Sequence, residues 1–218
     1  MIVFDLFSGT GSSTKAFDDG YNQVYTFELD TFFEATENVN ILSLTAEYLI
    51  ETYGRPDFVW ASPPCTSFSV ASIGKHWNLD KTPKTEAASE SIKLIEHTLN
   101  LIKALNPRYG WLMENPRGML RTLPVVKELN KYTVTYCQYG DTRMKPTDLF
   151  GYVPNWTPKK ACKNGESCHE AAPRGARTGT QGLKGAKKRA EVPYKLGDEI
   201  RQAIMQTMYA EFEKPKSM

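Results

Sequence analysis

The sequence predicts an α/β fold built on a doubly wound, mostly parallel sheet. Short apolar runs alternate with segments of helical periodicity. A glycine-rich turn follows the first run directly, and polar, chemistry-bearing residues stand just beyond several of the others. In open sheets of this kind ligands and chemistry gather at the carboxyl ends of the strands.

Met1–Phe7 is short and apolar, as a strand buried on both faces should be. It enters Ser8-Gly9-Thr10-Gly11-Ser12, where Gly9 and Gly11 let a ligand approach the backbone closely and Ser12 stands where a third glycine is often found; a helix is expected through Phe17. Val24–Asp30 reads as a second strand ending in acid about 20 residues on, which places Glu28 to accept hydrogen bonds from ribose hydroxyls. A helix over Ile41–Tyr53 follows. The run Phe58-Val59-Trp60-Ala61 then stops at Pro63-Pro64, which remove two backbone donors and present Cys65 at the strand end. Residues 70–86 read as a loop. Ile92, Ile95, Leu99 and Ile102 share one face of a helix over Ala87–Leu105 that Asn106-Pro107 ends. Tyr109–Met113 is the next strand, with Glu114 just past it on the same edge as Cys65, and Tyr132–Tyr139 another. From about Gly151 to Lys188 an irregular insert is expected. Pro193 opens a last helix lined by Leu196, Ile200, Ala203, Ile204, Met208 and Phe212.

The 218 residues suffice for one domain of ordinary size with a full core, and 40% hydrophobic with 24% charged residues suits a soluble globular chain. No apolar span approaches membrane length and Met1 leads straight into a strand-like run, so no membrane helix or signal peptide is expected and the location should be cytoplasmic. Four scattered cysteines suggest a reducing compartment. Trp156–Ala190 carries nine Lys or Arg against Glu166 and Glu170, which leaves the rest of the chain net negative and points to a local polyanion contact.

An adenosine-type ligand at the glycine corner, a thiol and a carboxylic acid would share one crevice. Methylation at carbon 5 of cytosine needs all three. A thiolate adding at carbon 6 makes carbon 5 nucleophilic toward the methyl group of S-adenosylmethionine, and a protonated carboxylic acid neutralises the charge pushed onto nitrogen 3. Cys65 and Glu114 are the candidates, and burial beside an apolar strand would raise the Glu114 pKa as that role requires.

Asp5-Leu6-Phe7-Ser8-Gly9-Thr10-Gly11, Pro63-Pro64-Cys65 with Phe68-Ser69, and Glu114-Asn115, in this order and spacing, resemble the motifs of the DNA cytosine-5 methyltransferases. Gln138-Tyr139-Gly140 ahead of a basic segment agrees. The resemblance implies a Rossmann-like, S-adenosylmethionine-dependent methyltransferase sheet with a small irregular basic insert. It implies that Phe7 packs on the adenosine, Glu28 binds the ribose, Asn40 and Ile41 approach the adenine, and Pro63 belongs to the cofactor side. Cys65 would be the nucleophile, Glu114 the nitrogen-3 partner. Where the family has a Gln-x-Arg-x-Arg pattern this chain has Arg143, Lys145 and Thr147; Arg143 and Lys145 join the candidate catalytic set, and which of the three meets the base is open. Pro116 replaces a valine, and Gly197-Asp198 stands where Gly-Asn is common.

The implied organisation is a catalytic region over 1–151, a target-recognition insert over 152–188 and a helix over 189–218 completing the catalytic region. So short an insert resembles phage or prophage forms and should read a short or relaxed target, with Arg174, Arg177, Lys184, Lys187, Lys188 and Arg189 on phosphates. DNA binding should therefore weaken steeply with salt. The target base must leave the stack; the loop after Cys65 is the closing element, with Ser67 and Ser69 as hinge and DNA-contact candidates. Cys162 and Cys168-His169 raise zinc, but their spacing is loose and no fourth ligand stands nearby. Cys137 is a remote candidate that core packing explains equally, so no metal is assigned. Three rival readings stay open: an amino-methyltransferase, which would need an aromatic residue in place of Cys65; the same chemistry on RNA; and a degenerate protein that binds DNA without modifying it.

Overall fold

The computed structural model describes residues 1–170 and 185–213. Strands β1 (Ile2–Leu6), β2 (Gln23–Glu28), β3 (Glu37–Asn38), β4 (Phe58–Ala61), β5 (Trp111–Pro116), β6 (Lys131–Thr135) and β7 (Pro146–Tyr152) form one sheet in the order β3-β2-β1-β4-β5-β7-β6. The first five run parallel, and β7 runs antiparallel to both of its neighbours. Leu6 pairs with Ala61 and Ala61 with Met113, so the carboxyl ends of β1, β4 and β5 lie side by side.

Strand alternation divides the core in two. Phe4, Leu6, Val59, Ala61 and Met113 face α1 (Ala46–Tyr53) and α3 (Glu86–Leu105), while Val3, Phe58, Trp60 and Leu112 face α5 (Tyr194–Phe212) through Leu196, Ile200 and Ile204. Both sheet faces are covered, which is why these strands are largely apolar, with Asp5 in β1 and Glu114 and Asn115 in β5 as the exceptions. Thr45 and Thr85 cap α1 and α3 by accepting the Tyr48 and Ala88 N–H groups at 3.2 and 3.3 Å, and Asn106, at φ 47°, ends α3 in the left-handed region. Two short helices, α2 (Ile73–His76) and α4 (Ala186–Ala190), complete the described chain.

Several predicted elements differ in form. The glycine turn leads into a single 3-10 turn over Lys15–Phe17 rather than an α-helix. Asn22 Nδ2 takes the Phe17 carbonyl at 3.0 Å, and Asp18-Asp19-Gly20 cannot sustain a helix. The helix expected over Ile41–Tyr53 divides into a 3-10 turn at Ile41–Ser43 and α1, because Thr45 is extended and caps α1. The loop at 70–86 holds a 3-10 turn, α2 and a bridge between Trp77 and Pro83. Strand β6 ends at Thr135, and Tyr136–Tyr139 turn as a 3-10 helix. Glu114, Asn115 and Pro116 belong to β5 itself rather than to the loop after it. The insert expected from 151 is preceded by β7, whose polar Thr147 and Asp148 are both buried. Within α5, Leu196, Ile200, Ala203 and Ile204 are buried and Met208 partly so, but Phe212 is exposed beyond the sheet edge. Among the described residues, no helix is long and apolar enough to cross a membrane.

Candidate active site

Three chain reversals meet at the carboxyl edge of the sheet. At the first, Phe7 turns with φ 62° and the Phe7 and Ser8 N–H groups both donate to the Phe27 carbonyl, at 2.9 and 3.2 Å. Gly9 and Gly11 have φ of 50° and 67°, and a side chain at either would meet nothing within 4 Å, so the corner opens toward a ligand. Glu28 accepts the Gly9 N–H at 2.8 Å on Oε2, and those of Leu29 and Asp30 at 2.9 and 3.1 Å on Oε1. These bonds fix the carboxylate and leave acceptor capacity on Oε2 for one further donor. Beneath lies Asp5, buried, with Oδ2 accepting from Ser13 and Thr14 at 2.7 Å each and Oδ1 without a partner; burial pushes its carboxyl up to about 7. Ser12, in place of a third glycine, accepts the Val192 N–H at 3.0 Å and so ties the start of the last helical segment to this corner. Gly197 packs α5 onto it, since a Cβ there would sit 3.0 Å from the Ser13 carbonyl. Asp198 points away and pairs with Arg201. Asn40 accepts the Leu42 N–H, and the Ile41 side chain is buried in the core. The open glycines, the fixed acceptor at Glu28 and the half-buried Phe7 suit an adenosyl ligand.

The second reversal carries Cys65. The Ser62 N–H donates to the Leu6 carbonyl at 2.9 Å, and the Cys65 carbonyl accepts the Phe68 and Ser69 N–H groups at 3.0 and 2.9 Å. Pro63 is buried and Pro64 exposed; the Pro63 carbonyl accepts Asn115 Nδ2 at 3.2 Å, a cross-link from β5 to the thiol-bearing turn. Phe68, fully buried, stacks on Trp77 at 5.9 Å, and Trp77 Nε1 donates to the Ser67 carbonyl at 2.7 Å. Ser67 is buried too, its hydroxyl bonded to Ser91 at 2.9 Å, so it holds the loop from within rather than facing a ligand. Ser69 is half-exposed and meets the Ser72 hydroxyl at 3.0 Å. The loop also docks on the chain after β5. Met119 donates to the Phe68 carbonyl at 2.7 Å, and only a glycine fits at 118, where a Cβ would stand 2.2 Å from the same oxygen.

The third element is Glu114, on the α5 face of β5. Its carboxyl is buried and accepts the Tyr136 hydroxyl at 3.1 Å. Burial raises its pKa, and Asp148 adds to this while Lys145 and Tyr136 oppose it. Burial also pushes the Cys65 thiol up, followed by repulsion from Glu114, with Lys145 and Arg189 acting the other way. Lys145 is thus the cation of the site. It is buried, its Nζ lies 4.4 Å above the Tyr136 ring, and its backbone is held at φ 27°. Burial lowers its own pKa and Glu114 resists that. The three basic-segment candidates separate here. Arg143 is tied to Asp141 (Nε at 2.9 and 3.0 Å) and to the Lys188 carbonyl at 3.1 Å, and Thr147 donates to the Lys145 carbonyl at 3.2 Å. Only Lys145 is coupled to both Cys65 and Glu114.

Among the expected phosphate contacts, Lys187 and Lys188 are exposed and Arg189 half-exposed. Lys187 Nζ lies 5.1 and 5.3 Å from the Phe32 and Phe33 rings. Arg174, Arg177 and Lys184 lie outside the described residues. Sequence reasoning missed Tyr136, which hid inside an apparent strand, and Gly118. It also missed the pair Arg121–Asp148 (2.8 Å), which supports the floor beside Glu114.

Fold and site together define an α/β transferase with a nucleotide-type corner, a thiol and a buried acid at three neighbouring strand ends. A family model of C-5 cytosine-specific DNA methylases matches residues 1–134. A probable DNA (cytosine-5)-methyltransferase of Frog virus 3 is 33% identical over 180 residues, covering 77% of this chain and 78% of that protein. Among solved structures, the methyltransferase EhMeth of Entamoeba histolytica superposes with a TM-score of 0.53 at 15% identity over 77% of this chain and 57% of that one. The Dnmt2 methyltransferase of S. pombe gives 0.49 at 14% identity over 73% and 52%. The chain therefore spans little more than half the length of these two. It belongs to the C-5 cytosine-specific DNA methylase family, and is a cytosine-5 methyltransferase.

Proposed function

We propose that the protein methylates carbon 5 of a cytosine flipped out of DNA, through a covalent bond between Cys65 Sγ and carbon 6. The observation that carries this reading is the placement of Cys65 just past β4, buried Glu114 near the end of β5 and buried Lys145 just before β7, at neighbouring strand ends. Gly9, Gly11 and Glu28, with Phe7 beside them, would hold S-adenosylmethionine, which would supply the methyl group. The chain's own residues prepare the base. Burial favours neutral Glu114, which can give its proton to nitrogen 3. A neutral Glu114 also removes the repulsion that disfavours the Cys65 thiolate, so one proton on the pair belongs on the acid when the thiolate attacks. Lys145 offsets the negative charge that the pair shares in that form. Attack at carbon 6 with protonation of nitrogen 3 leaves carbon 5 as the nucleophile. After methyl transfer, which releases the donor's sulfur as a neutral thioether, loss of the carbon-5 proton to solvent, expulsion of the thiolate and return of the nitrogen-3 proton to Glu114 restore the ring. The exposed Lys187 and Lys188 supply charge for the phosphate backbone.

The test is incubation with S-adenosylmethionine and DNA carrying 5-fluorocytosine, whose carbon-5 fluorine blocks the last step. A denaturation-resistant protein–DNA adduct that Cys65→Ser abolishes is expected. Methyl transfer to RNA with no adduct on any cytosine-containing DNA would overturn the DNA assignment, and an adduct that survives in Cys65→Ser would overturn the nucleophile.

A further inference from the structure

Cys137, Cys162, Cys168 and His169 are far apart in sequence, yet their ligand atoms all lie within 4.8 Å of one another. The fold supplies the fourth ligand that the spacing lacked: Cys137 sits on the 3-10 turn after β6, 25 residues before Cys162. We propose that these four side chains form a structural zinc site that fastens the basic insert to the catalytic sheet.

The donor chemistry selects the ion. Three thiolates and one imidazole are a soft set that suits Zn²⁺, and Cys₃His is a standard tetrahedral arrangement for it. With Zn–S bonds of about 2.3 Å, tetrahedral sulfurs stand about 3.8 Å apart. Cys168 and Cys137 Sγ are 3.6 Å apart, and His169 Nδ1 lies 3.7 Å from Cys162 Sγ and 3.6 Å from Cys168 Sγ. Cys137 and Cys162 are closer, at 3.1 Å, and would open by a fraction of an ångström around the ion. Zinc binding removes three thiol protons and leaves the centre with one net negative charge. Gln138 Nε2, 3.3 Å from Cys168 Sγ, can donate to it.

The surroundings explain what such a site would do. The segment from Lys159 to Glu170 is stitched to the 135–142 turn by the Lys159 N–H to the Tyr139 hydroxyl at 2.9 Å, the Cys162 N–H to Thr135 Oγ1 at 2.9 Å, and the Glu170 N–H to the Thr142 carbonyl at 2.9 Å. From residue 157 to 170, Cys162 is the one buried residue, so this segment has no apolar core of its own. A metal supplies what so short a piece cannot get from burial. The same turn carries Tyr136, so the site would set the insert in register with Glu114.

The experiment is metal analysis of the full chain purified under reducing conditions, followed by exchange for Co²⁺ and measurement of thiolate-to-cobalt charge-transfer absorption. About one zinc per chain is expected, retained in Cys65→Ser and lost in Cys162→Ser and Cys168→Ser. The cobalt form should show a tetrahedral, multi-thiolate spectrum. Wild-type protein that holds no zinc and takes up no cobalt overturns the proposal. So does a Cys137–Cys162 disulfide found by mass spectrometry in that preparation, or zinc retained in both serine variants. Should those variants fail to fold, the wild-type stoichiometry and the cobalt spectrum decide the matter.

Discussion

Replacing Tyr136 by phenylalanine removes one oxygen and one buried hydrogen bond, 3.1 Å long, to Glu114 Oε1. Such a bond contributes about 1.5–3 kcal/mol to an ionised carboxylate and about 0.5–1.5 to a neutral acid, so its loss costs the ionised form about 1 kcal/mol more. Tyr136 lowers the Glu114 pKa; without it Glu114 holds its proton more tightly, by a factor of about five in the ratio of neutral to ionised forms. In the proposed mechanism the working form of the pair carries the proton on Glu114 and none on Cys65. Glu114, as the stronger acid, loses its proton first as pH rises, so the acid-side limb of the pH–rate profile reports it. In Tyr136→Phe that limb should move to higher pH, with unfolding free energy about 1 kcal/mol lower. Initial rates of methyl transfer across pH, with urea unfolding at one pH, give both quantities. Lys145→Met is the informative comparison: Lys145 lowers the pKa of both groups, so its removal should carry both limbs upward. An acid-side limb that stays in place or moves down in Tyr136→Phe refutes Glu114 as the group that holds the proton.

Three further perturbations follow from the same geometry. Burial raises Asp5 from the usual 3.8 to about 7, so the folded protein takes up a proton there. The stability this contributes is full below about pH 4 and is lost as pH rises to about 7, a change of about 4 kcal/mol. Asp5→Asn should flatten the pH dependence of urea unfolding over that window, and an unchanged slope would count against the buried proton. Gly118→Ala puts a methyl group 2.2 Å from the Phe68 carbonyl and must shift the Cys65 loop; kcat/KM should fall about tenfold or more, and activity within about twofold of wild type would show that the loop yields freely. Arg121→Ala leaves Asp148, 1% exposed, without its cation, at a cost of about 3 kcal/mol in denaturant unfolding that Asp148→Asn in the same chain should partly restore.

The parallel half of the fold was legible because a strand buried on both faces must be largely apolar, as β4 is and as β1 and β5 are apart from Asp5, Glu114 and Asn115. Strand β7 was not, because its composition is set by partners far away in sequence: Thr147 is buried against Lys145, and Asp148 against Arg121 and Thr133. A polar residue that pairs inside looks the same in a sequence as one in a loop. Cys65 and Glu114 stood out because residue type and position at a strand end suffice to mark them. Their supporting residues did not, since Tyr136, Asn115 and Gly118 acquire their roles only from contacts that the fold makes. The separation of Lys145 from Arg143 is of the same kind. Both are basic and two residues apart, and only the ion pair with Asp141 shows which of them is already engaged.

Several departures from the local rules of folding fall at the carboxyl edge of the sheet. Phe7 and Lys145 are non-glycine residues with left-handed φ, and Asp5 Oδ1 and Asn115 Oδ1 are buried without partners. Each such feature costs free energy, of order 1–3 kcal/mol, and together they lie around the carboxyl edge of β1, β4 and β5. A fold selected for stability alone would relieve the first of them by a glycine at position 7. The same burial that raises the Asp5 carboxyl also raises Glu114 and the Cys65 thiol, the two shifts on which the proposed reaction depends. Phe7→Gly should therefore relieve the backbone at that position and slow the reaction together, since Phe7 both carries the left-handed φ and stands at the proposed cofactor corner.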